Sequence, residues 1–443
     1  MVVDALKKKE ALLPLALGLI LSMIYLFLPI QYLVFASAGL IGLMSLLYNI
    51  NIGIMVGLFI YPFIPDTGII YYFILLVLIF IFHHFFKSNS DLEPNKVEIP
   101  IIIYGILIVI GTITSINPTG SFRDFTIHMV SLALVIVMVN SIKTKEELNR
   151  IITLLVFSAT IVALIGLYQY VAGVEIDAAW IDVENNPDIK ARVFSVFGNP
   201  NVLAEYLIMM IPLSISLMWY SKKIYKKVLF LGTSLILILA IVLTMSRGGW
   251  LGFAFSALVF ILLVDRRFLL SIIPITLAGV YLLPQTYLNR ILSIGNFNDS
   301  SNAYRLKMWE ITMEIIGDFP LAGVGFGHLP FKQTFETYIR TMPTYHAHNT
   351  FLEIAAELGI PGLIAFLLII FVVFKYSIKE LISKDHTYIT IISAGVLSGL
   401  AGVLAHGAVE NVLYLTRIIF SFWIMIGFLL VLLRLNKKVN EPS

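Results

Sequence analysis

The sequence predicts an all-α, polytopic integral membrane protein, and three observations lead to this prediction. The chain of 443 residues is 59% hydrophobic and 13% charged, whereas a soluble protein needs about 25% charged residues to cover its surface. Its apolar residues come in blocks of about 20, the length at which a helix crosses the hydrocarbon core. There is no cysteine, which excludes disulfides, thiolate catalysis and cysteine-ligated metals.

Hydropathy along the chain predicts about 12–14 transmembrane helices. We place them near residues 11–30, 31–48, 50–65, 68–86, 99–116, 122–140, 151–173, 200–220, 228–245, 248–264, 268–284, 358–376, 388–405 and 414–433. The second and third are short, and either could be a re-entrant or tilted segment. No Pro/Gly/Ser-rich linker, repeat or low-complexity tract divides the chain. We therefore expect one membrane-embedded domain over 1–443.

Positive charge predicts the orientation of these spans. With the N-terminus in the cytoplasm, most of the 30 lysines and arginines fall on the cytoplasmic side, and both termini are cytoplasmic. Lys7, Lys8 and Lys9 precede an apolar stretch that is too long for a signal peptide and has no A-x-A cleavage site, so it counts as the first span. The basic residues thus report topology, and we expect no nucleic-acid partner.

Two long segments fall on the outer side, 174–199 and 285–357, and the second is the long extracytoplasmic loop. Within it, "SNAYRLKMWEITMEIIGDFP" has apolar residues at helical spacing: Leu306, Trp309, Met313 and Ile316. We expect an amphipathic helix against the membrane surface, ending near Asp318. The following "LAGVGFGH" lacks the G-x-G-x-x-G spacing of a dinucleotide site. It is therefore interpreted as a flexible or closely packed turn.

Among the basic residues predicted on the outer face, arginines outnumber lysines. Seven arginines are predicted there: Arg123, Arg192, Arg247, Arg290, Arg305, Arg340 and Arg417. The planar guanidinium group suits bidentate binding of phosphate, so this bias indicates an anionic substrate. Three are the best placed: Arg192 before the turn "GNPN", Arg247 at the tip of the hairpin "TMSRGGWLGF", and Arg305 on the amphipathic helix. Interface anchoring, snorkelling and a solvated surface charge are their respective structural alternatives.

Other polar residues cluster near the same predicted surface. Gly248 and Gly249 should let the hairpin backbone turn and let a ligand approach. His346 and His348, in "HAHN", precede the twelfth span, and a neutral histidine is suited to act as a general base. An interfacial histidine bonded to backbone is the alternative. A metal site would need further ligands. His328, Glu353 and Glu357 could serve, but their spacing is not that of a metal-binding motif. We therefore expect no metal and no cofactor.

The run His348-Asn349, nine residues, Gly359-Ile360-Pro361-Gly362 resembles the H-N-x₉-G-x-x-G motif of the O-antigen ligase and O-antigen polymerase family. The resemblance is best over 190–410. It implies a bacterial inner-membrane glycosyltransferase whose active site faces outward. Such enzymes transfer a glycan from undecaprenyl diphosphate to a hydroxyl of a lipid or glycan acceptor, with inversion and without metal.

The resemblance also implies roles for individual residues. Arg192, Arg247 and Arg305 would bind the donor diphosphate, and His348 would be the base. His346, Asn349 and Glu205 would support them. Three functions stay open: a ligase, a polymerase of lipid-linked repeat units, and a non-enzymatic transporter or binder of lipid-linked glycan. The outer arginines and the His-Asn pair favour an enzyme, since ionisable residues near the bilayer midplane, typical of transporters, are scarce.

Overall fold

The computed structural model describes residues 49–87, 97–173, 191–295, 300–342, 344–383 and 385–440. The chain divides into two compact units, residues 1–53 and residues 54–443, and the second contains the helix bundle. The predicted spans at 11–30 and 31–48 lie outside the described residues. One membrane-embedded domain over 1–443 stays a prediction.

Regular structure in these ranges is entirely helical, so the predicted all-α class is confirmed. The helices are α1 (Ile50–Ile60), α2 (Asp66–Lys87), α3 (Glu98–Ile113), α4 (Pro118–Ser141), α5 (Lys145–Ala172), α6 (Pro200–Tyr220), α7 (Ile224–Leu243), α8 (Arg247–Val264), α9 (Leu269–Leu282), α10 (Gln285–Leu292), α11 (Ser300–Asp318), α12 (His328–Tyr338), α13 (Thr350–Leu381), α14 (Tyr388–His406) and α15 (Thr416–Asn440). Short 3₁₀ turns at Arg266–Phe268 and Ser293–Gly295 follow α8 and α10.

Nine helices of the described chain are long and apolar enough to cross a membrane: α2, α4, α5, α6, α7, α8, α13, α14 and α15. This confirms a polytopic membrane protein. The predicted spans at 50–65 and 99–116 correspond to the shorter apolar helices α1 and α3. The predicted span at 268–284 corresponds to the 14-residue α9, which contains Pro274.

Three helices begin at the same end of the bundle, termed the site end, and each has a side-chain cap. Asn199 before α6, Ser246 before α8 and Asn349 before α13 each accept a hydrogen bond from a first-turn backbone N–H at 2.8–3.2 Å. Such caps satisfy donors that a helix start otherwise leaves unpaired. The three helix starts, with the side chains just before them, are thereby held in fixed positions.

The hairpin between α7 and α8 corrects one prediction. Gly248 and Gly249 do not form its turn, because both lie in the first turn of α8; the left-handed residue is Met245, with φ of 53°. A Cβ on Gly248 would lie 2.7 Å from the His406 ring, and one on Gly249 would lie 2.5 Å from Ala204. These glycines therefore allow α8 to pack closely on α6 and α14.

Helix α11 ends at Asp318, as predicted, but packs through a different face. Leu306 and Met313 of the predicted stripe are exposed. Met308, Ile311 and Ile315 are buried instead, in a cluster with residues of α12 and α13. Apolar residues occur on two faces of α11, so helical spacing alone does not tell which face is buried. Packing against α12 and α13 decides it. Contact of the exposed face with the membrane surface stays a prediction.

The glycines of the family-like motif and of "LAGVGFGH" serve close packing. Gly359 interrupts α13 with φ of 69°, and its Cβ would lie 2.6 Å from the Leu321 carbonyl. Gly325 has φ of 115°, and its Cβ would clash with the side chain of Ser115. A side chain at either position would meet both a strained backbone and a clash. The predicted closely packed turn is confirmed.

Candidate active site

A buried carboxylate, Glu410, lies at the centre of the site end. It belongs to the link between α14 and α15 and is 5% exposed. The backbone N–H and hydroxyl of Thr350 both donate to the Glu410 carbonyl, at 3.2 and 3.0 Å. The link is thereby fixed against the start of α13, which brings Glu410 beside the histidines at 346 and 348.

His348 and Glu410 form a hydrogen-bonded pair. Nδ1 of His348 lies 2.5 Å from Oε1 of Glu410, so the ring N–H donates to the carboxylate. A histidine that donates from Nδ1 keeps its acceptor lone pair at Nε2. Among the described residues no hydrogen bond engages Nε2, and the His348 side chain is 27% exposed. The ring is therefore placed to accept a proton from an incoming group.

The backbone of His348 is held in an uncommon conformation. Its φ is 48°, in the left-handed region that residues other than glycine rarely adopt and that is enriched at functional sites. The His348 N–H donates to Nδ1 of His346 at 3.2 Å. Burial, with the neighbouring His348, lowers the pKa of His346 to about 3. His346 is therefore a neutral acceptor that positions His348.

Two arginines reach the same carboxylate, one of them through an asparagine. Arg305 Nη2 lies 3.3 Å from Oε2 of Glu410. Asn201 Nδ2 donates to that oxygen at 3.2 Å, and Asn201 Oδ1 accepts from Arg192 Nη2 at 3.1 Å. Nε of Arg192 also donates to the Thr244 carbonyl at 2.9 Å. The two bonds of Arg192 orient its guanidinium group, and Arg305 is held by its ion pair with Glu410.

Arg247 and Arg290 complete a group of four arginines. Arg247 donates to the carbonyl of Ser293 at 3.1 Å, and Arg290 donates to the carbonyl of Met245 at 3.2 Å. Burial, followed by Arg290, Arg247 and Arg305, lowers the pKa of Arg192 to about 9. The four guanidinium groups therefore act on one another. A strong positive potential results, suited to a polyanion such as a diphosphate.

Glu410 stays ionised in this environment. Burial favours a neutral carboxyl group, but His348, Arg305 and His346 hold the pKa of Glu410 well below its usual range. His346, His348 and Glu410 offer possible metal-ligand atoms within 4.8 Å of one another. However, Nδ1 of His346 already accepts a hydrogen bond, and the Arg305 cation adjoins the carboxylate. This donor set fits a hydrogen-bonded dyad better than a metal centre.

The structure brings together most of the predicted site residues. Glu410 is surrounded by His346, His348, Arg192 and Arg305. Arg247 is near enough to Arg192 for its positive charge to lower the pKa of Arg192.

The other two predicted residues make their contacts outside the dyad. Asn349 caps α13, and its amide donates to the Ala408 carbonyl at 2.9 Å. Glu205 is buried within α6, 3.6 Å from Nε2 of His406. Its ion-pair partner therefore belongs to α14.

Three residues of the cluster were not selected from sequence: Glu410, Asn201 and Arg290. Glu410 had a signal, because it is the one acidic residue in the short link "HGAVENVLY" between two apolar spans. Arg290 was among the outer arginines, without a feature to distinguish it. Asn201 stands in the turn "GNPN" without a feature to distinguish it from Asn199, which caps α6.

Comparisons with known proteins show what the chain is similar to. Residues 232–367 match the family model described as O-antigen ligase, a range containing Arg247, Arg290, Arg305, His346 and His348. The exopolysaccharide production protein ExoQ of Rhizobium meliloti is 31% identical over 128 residues, 27% of this chain and 29% of that protein. These two matches support the interpretation of the chain as a member of the O-antigen ligase/polymerase family.

A second relative extends the comparison. An uncharacterized protein of Haemophilus influenzae is 29% identical over 194 residues, which is 38% of this chain and 48% of that protein. The chain thus spans less than half the length of either relative. The family model and the ExoQ match support a lipid-linked glycan ligase or polymerase kind of function.

Proposed function

We propose that this family member transfers a glycan from undecaprenyl diphosphate to an acceptor hydroxyl, as an inverting, metal-independent glycosyltransferase of the O-antigen ligase type. The observation that carries the proposal is the His348–Glu410 dyad beside four arginines. A base and a polyanion site next to each other are what transfer of a diphosphate-linked sugar requires.

The dyad accounts for the proton. Nε2 of His348 accepts the proton of the acceptor hydroxyl as its oxygen attacks the anomeric carbon. The resulting imidazolium is stabilised by the ionised Glu410, 2.5 Å from Nδ1, in the way that a carboxylate supports a catalytic histidine. His346 holds the His348 backbone and does not itself take up the proton, since its pKa is about 3.

The arginines account for the leaving group. As the bond from the anomeric carbon to the diphosphate oxygen breaks, negative charge grows on the departing undecaprenyl diphosphate. Arg192, Arg247, Arg290 and Arg305 provide fixed positive charge for it, as Mg²⁺ does in other phosphate-transfer sites. Attack opposite the leaving group inverts the anomeric carbon. No metal is required in this scheme.

The setting follows from the charge distribution of the sequence. Lysine-rich helix ends lie in the cytoplasm, so the site end faces outward across the bacterial inner membrane and both termini are cytoplasmic. The donor arrives from the lipid phase and a lipid or glycan acceptor arrives at the interface. The long loop 285–357, which supplies Arg290, Arg305 and both site histidines, is then extracytoplasmic.

A polymerase is the second candidate. One relative is named for exopolysaccharide production, which favours joining of repeat units that both remain lipid-linked. The same dyad and arginines serve either reaction, because only the acceptor differs. A non-enzymatic transporter or binder would need no base, so the dyad argues against it.

The test is release of undecaprenyl diphosphate from a lipid-linked oligosaccharide by purified protein in EDTA, with candidate acceptors. His348→Ala is compared with His386→Ala, a matched control, because His386 also has a left-handed backbone (φ 47°) but lies just before α14 at the opposite end. We expect release by wild type and His386→Ala, and at least about 100-fold less by His348→Ala.

The outcomes separate the candidates. A product on a lipid or protein acceptor supports the ligase, and elongated lipid-linked product supports the polymerase. Binding of donor without release under any condition would establish the binder or transporter instead. Activity that disappears in EDTA and returns with a divalent cation would refute metal independence.

A further inference from the structure

A second cavity lies at the opposite end of the bundle, far from Glu410. Its volume is about 760 Å³, and it is formed by α5, α7, the last turn of α6, the first residue of α14 and Met55 of α1. Helix α6 begins beside Arg192 at the site end, whereas the cavity is reached at Leu217 and Tyr220. The cavity is therefore separate from the proposed catalytic machinery.

The rim of this cavity is basic. Lys145 and Arg150 line it from α5, and Lys222, Lys223 and Lys226 line it from the start of α7. One carboxylate, Glu146, also lines it. None of these five cations forms an ion pair with a described residue. Topology alone explains lysines at this end, but not their convergence on one cavity.

The floor of the cavity is apolar. Leu154 and Phe157 lie one to two turns beyond the cations on α5, and Leu229 and Phe230 lie a turn beyond them on α7, with Leu217 between. Cations therefore occupy the helix ends, and hydrocarbon side chains follow toward the membrane interior. A free phosphate compound would use only the rim, whereas a lipid would use both parts.

Tyr388 adds an independent indication of a polar ligand. It lines the cavity and is 7% exposed. Its hydroxyl has no hydrogen-bond partner among the described residues, while its ring packs edge-on against Tyr220 at 5.2 Å. Buried hydroxyl groups are normally bonded, which makes this hydroxyl a candidate donor to a ligand in the cavity.

We propose that this cavity binds an anionic phospholipid from the adjacent leaflet. The lysines and Arg150 pair with the phosphate, Tyr388 donates to a phosphate oxygen, and the first part of the acyl chains covers Phe157 and Phe230. Basic pockets between membrane helices recognise anionic headgroups in this way. A zwitterionic lipid, whose choline cancels its phosphate charge, binds less well.

The test is lipid retention by purified protein in native mass spectrometry, with phosphatidylglycerol and phosphatidylcholine of identical chains. Lys222→Gln/Lys226→Gln removes two rim charges. Lys227→Gln/Lys379→Gln is the matched control, because it removes the same charge at the same end from residues that do not line the cavity. Tyr388→Phe deletes one hydroxyl without changing charge. Glycerol phosphate is added as a soluble competitor.

We expect wild type and the control to prefer phosphatidylglycerol by at least about tenfold, and the rim variant to lose most of this preference. Tyr388→Phe should weaken retention severalfold. Equal retention of both lipids by wild type would overturn the proposal, as would equal losses in the two double variants. Displacement by millimolar glycerol phosphate would identify the ligand as a soluble phosphate compound and overturn the assignment to a lipid.

Discussion

The two ends of the helix bundle are both rich in cations but hold them differently. At the site end, Arg192 and Arg290 are buried and bonded to backbone carbonyls, and Arg305 is paired with Glu410. At the opposite end, Lys222 and Lys223 are exposed and form no ion pair with any described residue.

The difference separates two uses of positive charge. Stabilising charge that develops during a reaction requires cations held in place beforehand, so that no reorganisation accompanies the step. Holding a lipid or marking the cytoplasmic side requires only charge at the right depth, for which flexible lysines suffice. Matched substitutions at the two ends should therefore have very different effects on activity.

The largest effect is expected at Glu410. Glu410→Gln should lower kcat by at least about 100-fold, because the amide no longer stabilises an imidazolium at His348 or balances Arg305. Glu98→Gln, in the first turn of α3 at the opposite end, is the control and should retain nearly full activity. Initial rates of undecaprenyl diphosphate release measure both. Comparable losses would show that the carboxylate has no special role.

A smaller effect is expected at Arg290, the arginine that sequence did not single out. Arg290→Lys keeps the charge but loses the planar fork, so KM for the donor should rise about tenfold. Arg266→Lys, after α8 at the opposite end, should leave KM unchanged. Donor saturation curves give both values. An unchanged KM in Arg290→Lys would remove Arg290 from the diphosphate site.

The pH dependence of donor binding should reflect the burial of Arg192 at the site end. The pKa of Arg192 is lowered to about 9, so its charge is present below that pH and is lost as pH rises through it. KM for the donor should be lowest near neutrality and rise severalfold by about pH 10. Arg192→Met should bind more weakly at neutral pH and lose this dependence. A wild-type KM that stays constant from neutral pH up to about pH 10 would contradict a role for Arg192.

The smallest effect is expected at the helix caps. Asn349 caps α13 at the site end and Thr387 caps α14 at the opposite end. Replacing either by alanine should destabilise the protein by about 1 kcal/mol, and Asn349→Ser should restore most of the loss. Thermal unfolding measures stability, and release measures activity. If Asn349→Ser is stable but inactive, Asn349 contacts substrate in addition to capping α13.

The parts of the molecule that the sequence predicts are local features. The long apolar helices are recognisable from composition, and His348 and Arg247 stand in short runs with a family resemblance. Each of these features is contained within a few neighbouring residues. The all-α class of the fold is predictable for the same reason, because hydrophobic periodicity and the length of an apolar segment are local properties of the sequence.

The features that the sequence did not predict depend on contacts between residues far apart in the chain. His348 and Glu410 are 62 residues apart, and they meet because Thr350 fastens the α14–α15 link to α13. No spacing rule predicts that bond. The turn wrongly assigned to Gly248 has the same origin, since close approach by His406 on α14 explains that glycine. Both features result from packing between helices rather than from the propensities of residues within one helix.

The most direct test of the central claim is a double-mutant cycle between His348 and Glu410, measured as release of undecaprenyl diphosphate. If the two side chains act as one dyad, His348→Ala/Glu410→Gln should be only slightly slower than His348→Ala alone, because most of the effect of the carboxylate is exerted through the imidazole. Losses that multiply in the double variant would show that the two residues act independently. Near wild-type release by His348→Ala would contradict the assignment of His348 as the base.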